Sequence, residues 1–190
     1  MSFFCCNDVS TRRNSSIESK INESLLNKIN LIFKVVLGEN KNLKNYPDKI
    51  MSQKNMPFYS NYIPSISTKN YLFRIVKYTE IEDNTLILAL IYIDRICDIA
   101  KIILTPYNIH KIIFTAILLA IKYNEDMIFN FEYYSKVAGV SIKEMQILEK
   151  YFAILLRYKF FVSNEIFENY KLYIDNIDDK EENRKDIKIH

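Results

Sequence analysis

Asp83-Asn-Thr-Leu-Ile-Leu-Ala-Leu-Ile-Tyr-Ile-Asp-Arg-Ile-Cys-Asp-Ile-Ala100 contains the longest apolar run of the chain, Leu86 to Ile93. A helix that is apolar on every side is one packed on every side. The stretch therefore predicts the central pole of an all-α domain. The run is far short of the roughly 20 apolar residues that a membrane span needs.

Four further helices are expected around this pole, each opened by a side chain able to accept from free backbone N–H groups. One follows Ser67 and runs to about Tyr78, with Tyr71, Leu72, Ile75 and Val76 facing inward. The next begins at Thr105-Pro106, an N-cap followed by proline at the first helical position, and continues to Tyr123. Another starts at Asn130 and is closed by Gly139, and Ser141-Ile-Lys-Glu144 is a capping box for the last, which runs to about Leu156. On the N-terminal side, apolar residues from Ile17 to Val36 recur at helical spacing and predict one amphipathic helix ended by Gly38. Pro47, Pro57 and Pro64 mark residues 39–65 as an extended linker. Past Ser163 a final helix carries Ile166, Phe167, Tyr170, Tyr173 and Ile174. The expected division is a leader (1–15), an N-terminal helix (16–38), a linker (39–65), a five-helix domain (66–162), a C-terminal helix (163–177) and a charged tail (178–190).

Composition excludes several classes of function. Lys and Arg number 26 against 23 Asp and Glu, a net charge of +3, too little for the basic stripe that neutralises nucleic-acid phosphates. The two glycines, Gly38 and Gly139, are too far apart to form a phosphate-binding loop. Cys5, Cys6 and Cys97 make neither a disulfide framework nor a metal spacing, which fits a reducing intracellular location. Phe3-Phe4-Cys5-Cys6 admits a palmitoylation reading, but lacking a basic cluster it is taken as a leader with two unpaired thiols. The histidines are His110, inside a predicted helix, and His190, so no triad or zinc site is expected. The chain is read as a protein without catalytic residues, cofactor or metal.

Three charges sit awkwardly. Ile142, Met145, Leu148, Phe152, Leu155 and Leu156 form one apolar arc, and Glu149 falls within its edge. The helix ending near Tyr123 is apolar except for a strip of Asn108, Lys111, Thr115 and Lys122, which is expected to be its exposed line. Glu149 therefore needs an internal partner or a surface ligand. Asp94 lies between the directions of Leu90 and Ile87, where an unpaired carboxylate is costly, and is read as a structural charge with a partner.

With these residues in view the chain resembles the cyclins, and within them the single-box P/U type associated with phosphate-regulated and related cyclin-dependent kinases. The resemblance is carried by Asn84 to Arg95, by Leu104-Thr-Pro-Tyr-Asn-Ile-His110, and by Ile117-Leu-Leu-Ala-Ile-Lys-Tyr-Asn-Glu-Asp126. Asn130-Phe-Glu-Tyr-Tyr-Ser-Lys-Val-Ala-Gly-Val140 and Leu148-Glu-Lys-Tyr-Phe-Ala-Ile-Leu-Leu-Arg-Tyr-Lys-Phe-Phe-Val162 complete it. It implies a regulatory subunit that binds and activates a cyclin-dependent Ser/Thr kinase. Lys122 and Glu149 match the family's lysine and glutamate that clamp backbone around the kinase's regulatory αC helix, and Glu125 is assigned to the same partner-binding set. Asp94 matches an aspartate that many cyclins pair with an arginine on the first helix; no arginine stands there, leaving Lys69 or Arg74 as substitutes. The Met-Arg-x-x-Leu docking surface of many cell-cycle cyclins is missing from residues 67–78. A non-activating scaffold, and a transcription factor of similar fold, are the alternatives.

Overall fold

The computed structural model describes residues 22–43 and 46–177. These contain eight helices and no strand: α1 (Glu23–Lys41), α2 (Tyr46–Gln53), α3 (Thr68–Thr79), α4 (Asp83–Ala100), α5 (Ile109–Asn124), α6 (Phe131–Ala138), α7 (Ile142–Leu155) and α8 (Asn164–Asp175). The expected leader with Cys5 and Cys6, the start of the N-terminal helix and the charged tail lie outside the described residues.

The predicted caps form where the side chains allow them. The side-chain oxygens of Ser67, Asn130, Ser141 and Ser163 accept from the backbone N–H groups of Asn70, Tyr133, Glu144 and Ile166. Gly139 closes α6 at a φ of 74°, a left-handed conformation that glycine adopts without steric cost.

α4 and α5 together form the centre. Every residue from Thr85 to Ile93 is buried, and so is every residue of α5 from Ile109 to Ile121 except Lys111. The expected exposed line of this helix is therefore corrected. Asn108 and Thr115 are buried, Lys111 is half-buried and paired with Glu144 at 2.9 Å, and of the four only Lys122 is exposed. The polar atoms are satisfied internally: Thr115 donates to the Lys111 carbonyl, and Asn108 exchanges bonds with the Thr105 N–H and Ile103 carbonyl. Because Asn108 is used in this way, Thr105 to Asn108 form a turn and the helix opens at Ile109, not at Pro106.

The N-terminal region also departs from expectation. α1 runs through Gly38 to Lys41 and ends at Asn42, so Gly38 is no cap. Its buried face, Leu25, Leu26, Ile29, Ile32 and Phe33, packs on α3 and α8. Asn22 donates to Asp83 at 2.8 Å, Lys28 to the Asp175 carbonyl at 3.0 Å and Asn40 to the Leu104 carbonyl at 3.0 Å, tying the helix down along its length. The supposed linker contains α2 and is held against the bundle. Gln53 accepts from the Ile103 N–H, and the fully buried Phe58 meets Tyr151 and Phe152 of α7 edge-on at 5.7 and 5.9 Å. Three prolines limit helix extension but do not stop one aromatic from anchoring the connection.

His110 is packed inside, as expected. One ring nitrogen bonds the Ile66 carbonyl at 3.0 Å, the ring meets Tyr71 at 5.0 Å, and Nδ1 is buried without a partner. Burial pulls its pKa below the ordinary 6.5, with the bond to Ile66 opposing. The unfolded chain thus takes up a proton at higher pH than the fold does, and this part of the stability is lost as pH falls from 6.5 through the lowered folded value. The thermal midpoint is expected to drop across that window, and His110→Gln to flatten the drop; calorimetry over a pH series checks both.

Candidate partner-binding site

Lys122 stands in the last turn of α5, where the helix dipole favours a cation, and Glu149 in the middle of α7. α5 and α7 pack together, and the two side chains form an ion pair across the seam. Each side chain keeps about a quarter of its surface in solvent, at 28% and 22%. The Lys122 ammonium also lies 4.4 Å from the centroid of the Phe131 ring on α6, within cation–π range. Beside the pair is an open cleft of about 430 Å³ between α5 and α7, with Tyr158 and Phe160 at one end.

That end is built by the chain's exit from α7. Arg157 and Tyr158 take left-handed conformations with φ of 54° and 56°, which turn the backbone back over α4. There the Tyr92 hydroxyl donates to the Phe160 carbonyl, and Arg95 donates to the carbonyls of Lys159 and Phe161. Tyr123, Phe131, Tyr158 and Phe161 remain 51, 42, 64 and 74% exposed. Tyr123 and Tyr158 line the cleft beside the ion pair and Phe131 lies against Lys122, so three of these exposed rings stand next to the two charges. Of this surface only the two charges were singled out from the sequence. The Tyr158 to Phe161 run signals the rest, although its turn is not readable from periodicity.

Glu125 points elsewhere. Its Oε1 accepts from the Glu82 N–H at 3.1 Å and from the Thr85 hydroxyl, which in turn accepts from Asn124 at 2.8 Å. Glu82, the N-cap of α4, makes no side-chain capping bond, so Glu125 supplies that cap from the end of α5.

Asp94 has the partner that the sequence left open, and it is neither Lys69 nor Arg74. The Tyr170 hydroxyl of α8 donates to its carboxylate, while Arg74 donates to the Lys136 carbonyl. Burial raises the Asp94 pKa; the bond from Tyr170 opposes this and nearby Asp98 adds to it. Tyr170 was visible as part of an apolar helical face, but its hydroxyl's destination depends on where α8 docks. Among the described residues no group of His, Cys, Asp and Glu could hold a metal ion, and no helix is long and apolar enough to cross a membrane.

An all-helical domain built around a central buried pair of helices is consistent with a cyclin box. The family model for cyclins matches residues 6–160, and the chain belongs to the cyclin family. Its relatives narrow this to the P/U type. Cyclin-U4-3 of Arabidopsis thaliana is 35% identical over 127 residues, covering 65% of this chain and 58% of the relative. Cyclin-U3-1 of Arabidopsis thaliana is 32% identical over 156 residues, covering 82% and 64%. Cyclin-P3-1 of Oryza sativa subsp. japonica is 32% identical over 118 residues, covering 62% and 50%. The chain thus spans between 50 and 64% of the length of these relatives.

The site residues should separate on stability. Glu125→Ala removes an interhelix cap and is expected to cost about 1–2 kcal/mol, lowering the thermal midpoint by several degrees. Glu149→Ala breaks a part-exposed ion pair and is expected to cost less than about 1 kcal/mol. For the buried contact, Tyr170→Phe should cost about 1–2 kcal/mol by leaving the Asp94 carboxylate without its donor, whereas Asp94→Asn should cost less because burial already disfavours the charge. Thermal denaturation of the four variants checks these orderings.

Proposed function

We propose that this chain is a regulatory subunit that binds and activates a cyclin-dependent Ser/Thr kinase, with Lys122 and Glu149 gripping the backbone around the kinase's αC helix. The observation that carries this reading is the Lys122–Glu149 pair set among exposed aromatic rings. A lysine donates to backbone carbonyls and a glutamate accepts from backbone N–H groups, so a pair spanning α5 and α7 can exchange its mutual bond for bonds to a partner's main chain. The rings around it bury apolar area at the same time, which supplies affinity that an ion pair alone does not. Contact with αC in its inward position stabilises that kinase state over the outward one; the cyclin contributes no catalytic group. Glu125 serves the grip by fixing the end of α5, and with it Lys122.

Each of Lys122→Ala and Glu149→Ala is expected to weaken kinase binding by about tenfold or more, roughly 1.4 kcal/mol, while helical content stays unchanged. Pull-down of co-expressed candidate kinases with circular dichroism tests this, and undiminished capture by both variants would overturn the assignment. A kinase assay on the captured complex separates activation from the scaffold alternative.

A further inference from the structure

Away from this face, α1, α3 and α6 enclose a second and larger groove of about 840 Å³, within the usual range of ligand clefts. It shares no residue with the Lys122–Glu149 cleft. Its α3 wall presents Lys69, Phe73, Arg74 and Lys77, and its α6 wall Tyr133 and Lys136. Lys69, Phe73 and Lys77 follow each other at four-residue intervals and so lie along one side of α3, about 6 Å apart along its axis. The Lys69 ammonium is 5.9 Å from the Phe73 ring centroid, and the Lys77 ammonium the same distance from the Tyr78 ring.

Among the described residues no carboxylate forms an ion pair with Lys69, Arg74 or Lys77. Arg74 is held in place by its bond to the Lys136 carbonyl, and Lys136 has only an exposed pair to Glu132 on its own helix. The lining thus carries four cations, one of them paired with Glu132 at its rim, against the carboxylate of Glu23. The whole chain, by contrast, carries a net charge of only +3. Positive charge is therefore concentrated here around an aromatic floor.

We propose that this groove is a docking site for an acidic peptide segment of a protein, its carboxylates meeting Lys69, Arg74, Lys77 and Lys136 and an apolar side chain resting on Phe73. The charge complementarity selects an anionic partner, and the aromatic floor between the cations favours a peptide over a bare polyanion. The proposal rests on the kinase-binding reading only for its purpose, the delivery of acidic substrates or regulators to an assembled complex. Binding itself is a property of this chain alone.

The test uses the full chain without kinase and a short fluorescein-labelled peptide of glutamates around a central phenylalanine, read by fluorescence anisotropy. The variant combines Lys69→Glu with Lys77→Gln. Both side chains are exposed, and a glutamate in the first turn of α3 suits the helix dipole, so the fold should be kept. Binding is expected to weaken about tenfold or more in the variant, to fall with added salt, and to be lost for the lysine counterpart of the peptide. Equal binding by the variant, equal binding of the lysine peptide, or tighter binding of a single-stranded oligonucleotide would overturn the proposal. Kinase pull-down by the same variant should be unchanged, so failure of the groove and failure of the kinase grip give different results.

Discussion

The packing of α4 against α5 is the constraint on which everything else depends. Nearly all of both helices is out of water. Burying a large aliphatic side chain contributes about 1.5–3 kcal/mol, so this contact dominates any polar interaction in the molecule. It also dictates where polar groups can stand. Within the pair they are small and bonded locally, as with Thr115 and Asn108. Charged groups are driven to the helix ends and seams, where Lys122, Glu125 and Asp94 lie.

The face proposed to meet a partner follows from that placement. α5 carries Lys122 to its last turn, α7 packs on α5 and brings Glu149 beside it, and the turn after α7 folds aromatic rings over the same edge. A groove of different chemistry arises where α3 and α6 meet under α1, because those shorter helices bury one face each and leave their cationic positions in water.

The central helices and most of the caps were legible because they depend on local chemistry: an all-apolar run, a hydroxyl or amide before α3, α6, α7 and α8, a glycine after α6. The Lys122 and Glu149 positions were also legible, as charges at odds with their helical surroundings. What escaped depends on the meeting of distant segments. Phe58 sits in a proline-punctuated stretch with no periodicity, yet it finds a pocket on α7. Glu125 could be assigned to a surface only until α4 was seen to start without a side-chain cap of its own. The polar strip of α5 suggested exposure because a helical wheel cannot tell a solvated threonine from one bonded to the carbonyl four residues earlier.

The Phe58 anchor has a consequence for the order of folding. Phe58 and its partners on α7 are separated in sequence by α3, α4, α5 and α6, so the contact closes one of the longest loops in the chain. Closing so long a loop costs chain entropy that the local contact of α4 with α5 does not. The segment carrying α2 is then expected to join late, and by the same logic to leave early. In hydrogen exchange its amides would open at a lower free energy than those of α4 and α5, making it the protein's own reporter of whether α7 is in place.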